Sequence, residues 1–136
     1  MALWLFKQEP SCYSFADLQR DGSTTWDGVA NAVAQKHLRN VKKGDRVFFY
    51  HSGDDRAVIG EMKVTADPTP DPADPAGKQV VVKVKPVRKF KYSVPLVAIK
   101  SDKSFANWEL VRISRLSVMP VPEEIWKKIE AMSEEA

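Results

Sequence analysis

Four aromatic residues from separate parts of the chain, Trp4, Trp26, Tyr50 and Trp108, stand beside polar or charged side chains: Lys7, Gln8, Asp27, Asn31, His51, Ser52 and Asn107. An aromatic face bordered by amides and hydroxyls can hold a planar ring and read its edge by hydrogen bonds. Unpaired or flipped bases are recognised in this way. Trp26 is the leading candidate for the stacking face. Asp27 and Gly28 form a tight turn that would fix its direction, and Asn31 carries both a donor and an acceptor for a base edge. Tyr50, His51 and Ser52 end an apolar run, where side chains can leave the core and face a cavity mouth. Taken singly, each tryptophan is more simply a core residue. A pocket requires them to converge, and convergence is a property of the fold.

Other chemistries find little support. The sequence has no glycine-rich phosphate loop and no dinucleotide fingerprint. His37, His51 and Cys12 are too few for a zinc site of the usual spacing. A Cys12–His51 nucleophile pair has no local support, since a lone cysteine is usually a small hydrophobe. Asp54 and Asp55 belong to a turn, and Glu9 and Asp27 are better read as turn caps or arginine partners than as general acids. No catalytic residue, metal or cofactor is expected. The single cysteine and the absence of a secretory signal pattern predict a reducing, cytoplasmic setting, and no apolar run approaches membrane-spanning length.

Charge is unevenly spread. The net is +3 with a pI near 9.0. Lys36, Arg39, Lys42, Lys43 and Arg46 stand against Asp45 alone, and eight basic residues between Lys78 and Lys103 stand against Asp102 alone. Such blocks either face phosphates or solvate strand edges and helix ends. Lys36, Arg39, Lys42 and Lys43, which follow Trp26 closely, are the candidate phosphate contacts.

The elements that must position these residues are short. The 136 residues and 43% hydrophobic fraction suit one domain, 1–136. Residues 3–7 predict a strand. Ser14 followed by Asp17 predicts a capped helix over 15–20. Trp26-Asp27-Gly28 predicts a turn before an apolar-faced helix ending near Asn40. Residues 46–51 and 57–64 predict a hairpin, with Gly60 marking a bulge. Proline-rich residues 66–77 read as a loop, and 79–87 as a half-buried strand ending at an edge near Pro86. Short helices are expected over 95–99 and 105–110, and a strand over 111–118. A last helix opens at Pro122 and packs Ile125, Trp126, Ile129 and Met132 into the core. The sum is α+β: five or six mostly antiparallel strands in a curved sheet flanked by short helices.

Four blocks, taken in order, resemble the EVE domain family: Trp4-Leu5-Phe6-Lys7-Gln8-Glu9-Pro10, Trp26-Asp27-Gly28-Val29, Val47 to Ser52, and Leu110 to Val118. The resemblance implies a PUA-like fold, a β-pseudobarrel related to the YTH readers of methylated adenine in RNA and the SRA readers of methylated cytosine in DNA. It implies a non-enzymatic reader of a modified base in DNA or RNA; separately, the chain is expected to be a monomer. Carried over by position, Lys7, Trp26, Asp27, Gly28, Asn31, Tyr50, His51 and Ser52 fall near the family's pocket, with Gln8 in place of the usual serine. After Val29 the chain departs from the family pattern, keeping Asn31 and Ala34. A small-molecule binder or RNA-modification protein on the same barrel is the alternative, and an interaction module with a vestigial pocket is a third reading.

Overall fold

The computed structural model describes residues 1–135. Seven strands and five helices follow in the order β1 (Leu3–Gln8), α1 (Phe15–Asp21), β2 (Thr24–Trp26), α2 (Ala32–Arg39), β3 (Arg46–His51), β4 (Ala57–Val64), β5 (Thr69–Pro70), β6 (Val80–Pro95), α3 (Leu96–Lys100), a 3-10 turn at Lys103–Phe105, α4 (Glu109–Arg112), β7 (Val118–Pro120) and α5 (Glu123–Glu134). The strand order is β2-β6-β4-β3-β1-β7, with β5 on β6. β1 and β3 pair in parallel, and the other pairings are antiparallel. This is the curved α+β sheet of a PUA-like half-barrel. None of the described helices is long and apolar enough to cross a membrane.

The curl comes from β6. Its sixteen residues pair with β2 at one end and with β4 along most of their length. Register shifts opposite Gly60 and Met62 bend it, as bulges do. A Cβ on Gly60 would lie 2.7 Å from the Arg88 carbonyl oxygen and 2.8 Å from the Phe15 ring, so only glycine lets strand and helix approach this closely. The expected strand end at Pro86 is therefore overturned. β2 covers only Val82–Val84, so Pro86 lies where β6 already has a free edge, and its missing N–H is tolerated there.

The expected strand over 111–118 is also overturned. The segment forms α4, a turn, and only then the short β7. Residues 112–115 are all exposed in succession, which the alternation of a half-buried strand does not allow. Lys7 ties the turn down: its backbone N–H donates to the Ser117 carbonyl at 2.8 Å. Trp26 is the last residue of β2 rather than part of a turn.

Local signals elsewhere act as expected. Ser14 Oγ accepts from the Asp17 N–H at 3.1 Å while Asp17 Oδ2 accepts from the Ser14 N–H at 2.9 Å. Asn31 Oδ1 caps α2 through the Val33 and Ala34 N–H groups.

The pleat of β1 and β3 divides the core into two layers. On one face Phe6 and Phe49 pack with Trp26, and Phe49 with Phe15. On the other, Phe48 stacks on Trp126 of α5 with centroids 3.6 Å apart and planes at 7°. Glu61, 2% exposed, holds this second layer. It accepts from Arg46 at 2.7 and 3.0 Å and from Arg88 at 3.3 Å, and Arg88 also donates to Glu130 of α5 at 2.8 Å.

Candidate functional site

Lys7 and Tyr50 are register partners on parallel β1 and β3. Partners share a face, so both point to the α5 side of the sheet. There they enter a cleft of about 330 Å³ bordered also by Ser52, Arg56, Lys100, Val111 and Ser114. Lys7 Nζ donates to the Ser114 carbonyl at 3.0 Å and stands 5.5 Å from the centre of the Tyr50 ring. Burial pushes the Lys7 amine below its ordinary range. Burial likewise pushes the Tyr50 phenol up, opposed in part by the charge of Arg56. Leu96 and Leu110 complete the apolar wall.

Arg56 is held in the left-handed region at φ 42°, and Gly53, three residues earlier, has φ 74°. The Arg56 Nε donates to the Gly53 carbonyl at 3.2 Å, which fixes the guanidinium at the lip. Strained backbone of this kind costs on the order of 1–3 kcal/mol and gathers at functional sites. The cleft therefore combines three cations with hydroxyls and aliphatic walls, and no carboxylate is among its lining residues. Such a site suits a flat, partly apolar group carrying electron-rich edge atoms.

The expected pocket residues do not all meet. Lys7, Tyr50 and Ser52 share the cleft. Gln8 and His51 are the next residues along each strand, so the pleat turns them to the opposite face. Gln8 Oε1 accepts from the Glu9 N–H at 3.0 Å. His51 Nε2 accepts from the Phe15 N–H at 3.0 Å, and its Nδ1 faces Asp55 at 3.0 Å, so it holds the start of α1 in place. Trp26 packs against Phe6 and Phe49 and is 3% exposed, leaving no open ring face. Tyr50 is equally covered and forms the cleft's floor beneath the Lys7 amine. Asp27 is exposed in the loop that follows β2, and Asn31 is engaged as a cap. Trp108 is core, its indole donating to the Pro120 carbonyl at 3.1 Å. All four tryptophans are buried, and the cleft offers polar side chains and aliphatic walls in place of an open indole face.

Arg56, Lys100, Leu96, Leu110, Val111 and Ser114 were not singled out by sequence. Reading 111–118 as a strand hides two of them, Val111 and Ser114. The Ser52-Gly53 turn was a usable signal for Arg56.

The expected phosphate contacts lie elsewhere. Arg39 donates to the Lys78 carbonyl at 3.0 Å, and the Lys42 N–H donates to Asp45 at 2.9 Å. Asp45 also binds the Trp4 indole at 2.9 Å. Lys36, Arg39, Lys42 and Lys43 thus belong to the last turn of α2 and the approach to β3. That is the opposite end of β3 from Tyr50.

This architecture recurs in known proteins. The chain is 30% identical to human thymocyte nuclear protein 1 over 165 residues, covering 96% of this chain and 73% of that protein. It superposes on a protein of Rhodopseudomonas palustris with a TM-score of 0.93 at 37% identity, covering 98% and 93% of the two chains. The crystal structure of human THYN1 protein in complex with DNA containing 5-methylcytosine matches with a TM-score of 0.91 at 28% identity, covering 100% and 99%. A profile of the EVE domain matches residues 2–132, and the chain belongs to the EVE domain family.

Proposed function

We propose that this protein is a non-enzymatic nucleic-acid-binding module that takes a modified base into the cleft at Lys7. The observation that carries this reading is the similarity, along the whole chain, to human THYN1 protein in complex with DNA containing 5-methylcytosine. The cleft supplies a physical basis. The Lys7 amine has one protein partner and retains further N–H bonds for the acceptor edge of a base. Ser52 adds a hydroxyl, and Arg56 and Lys100 stand where a flanking phosphate would pass. Leu96, Leu110 and Val111 offer apolar contact to a ring methyl, which adds about 0.8 kcal/mol, or a factor of ~4.

The test is a pair of otherwise identical duplexes, with and without 5-methylcytosine, titrated by fluorescence anisotropy at one salt concentration. Tighter binding of the methylated duplex by about fourfold is expected. Equal affinity would remove the modified-base part of the reading, and no binding to either would remove the whole.

A further inference from the structure

We propose a second, phosphate-binding surface at the other end of the sheet, formed by Lys43, Lys63, Lys83 and Lys85; it rests on the nucleic-acid reading above. Lys63 and Lys85 are direct cross-strand partners on β4 and β6. Like charges placed opposite each other destabilise a sheet, and an anion across them relieves that repulsion. Lys43 comes from the turn before β3 and joins them. Together with Gly44, Val64 and Thr65 they border a shallow depression of about 440 Å³.

The charges on this side are unevenly matched. Glu61 and Glu130 are taken by Arg46 and Arg88, and Glu134 lies against Arg88. Asp67 accepts the backbone N–H of Lys43 at 2.8 Å. No carboxylate among the described residues forms a salt bridge with any of the four lysine amines. Lys83 is two residues from Lys85, on the same face and about 6.6 Å further along β6. Its cross-strand neighbour is Thr25, an exposed hydroxyl.

Lys63 and Lys85 sit side by side across β4 and β6, Lys83 lies further along β6, and Lys43 comes from the adjoining turn, so the four cations are spread over extended backbone rather than gathered in one place. Cations spread in this way fit a repeating anion, and within the nucleic-acid reading that is a phosphodiester backbone. Sequence blocks conceal this surface, because Lys63 lies in a stretch whose net charge is acidic. Strand pairing brings it to Lys85.

Lys63 pairs with Arg46 at the start of β3, four residues before Tyr50. That separation is about 13 Å along the strand, or about four base-pair steps of duplex. A duplex of about 16 base pairs reaches both sites, whereas a trinucleotide reaches only one.

The experiment measures duplex affinity against salt for the wild type, for Lys63→Gln/Lys83→Gln/Lys85→Gln, and for the corresponding triple arginine variant. Circular dichroism checks that each is folded. The glutamine variant is expected to lower the slope of log Kd against log salt by about 2 to 3, near 0.9 per phosphate contact removed. The arginine variant keeps the wild-type slope, and trinucleotide binding is unchanged in all three. An unchanged slope in a glutamine variant that still binds overturns this surface and leaves the cleft standing, as would be seen if the lysines met an acidic protein instead. A wild type that binds no duplex overturns both.

Discussion

Trp26 and Phe49 meet edge to face, with ring centroids 5.3 Å apart and planes at 87°. Phe6 covers Trp26 from a second direction at 5.4 Å. The contact joins β2 to the central strand, so Trp26 is a packing residue that closes the sheet. Trp26→Ala is expected to lower stability by about 3–5 kcal/mol, read from urea unfolding. Trp26→Phe keeps most of the packing and stays folded, and its affinity for methylated duplex should equal the wild type's. A loss of affinity without loss of stability in Trp26→Phe would return Trp26 to the binding site.

His51 makes a different kind of link. Its Nε2 is the acceptor for the Phe15 N–H, a buried donor at the first residue of α1. Removing the acceptor leaves that donor unsatisfied, which costs about 1–3 kcal/mol. His51→Ala should destabilise by this amount and speed hydrogen exchange at the Phe15 amide, with duplex affinity unchanged in the folded protein. Wild-type exchange at Phe15 would show that the bond is not made in solution.

Among the described residues, Glu61 is the only carboxylate that bridges both Arg46 and Arg88 at nearly full burial. Glu61→Ala leaves Arg46 and Arg88 sharing only the partly exposed Glu130 under α5. Breaking a buried pair costs about 3–5 kcal/mol; here the low end is expected, because both arginine side chains are 36% exposed. Fluorescence should also report the loss, since Arg46 stands 4.9 Å from the Trp126 ring. Stability unchanged within about 0.5 kcal/mol would refute the clamp.

The Lys7 amine has a defined pH signature. Burial lowers its affinity for the proton in the folded state below the ordinary 10.5 of the free side chain. The unfolded chain therefore binds the proton more tightly, and between the folded value and 10.5 stability from this group rises with pH. Affinity for an acceptor or anion falls through the same interval, because the charge that strengthens the contact is lost. Alkaline titration of the wild type should show stability rising where duplex affinity falls. Lys7→Met should lack the stability change.

Much of the scaffold was legible. The Ser14–Asp17 box, the hairpin with its bulge at Gly60 and the Trp126 stripe each follow from one local rule, and local rules survive folding. The segment 111–118 was not legible, because its apolar spacing fits a helical turn nearly as well as a strand. Tertiary hydrogen bonds from Lys7 to Ser114 and Ser117 accompany the turn that the structure adopts. The site was legible only in part. Lys7 with Gln8, and Tyr50 with His51, are adjacent on strands, so the period of two already forbids all four from sharing a face. Which pair faces the cleft depends on where α3, α4 and α5 pack, and that no spacing reveals.

The central claim is that the Lys7 side-chain amine serves nucleic-acid binding, while its backbone holds the fold. Lys7→Met keeps the apolar stem and removes a charge that burial disfavours, so its melting temperature should equal or exceed the wild type's. A hydrogen bond to a charged group contributes about 1.5–3 kcal/mol, so Kd for a duplex containing 5-methylcytosine should rise by roughly 10- to 150-fold. Measuring both on the same preparation is the most direct test. A Kd within twofold of the wild type's, in a variant that melts no lower, would contradict the account.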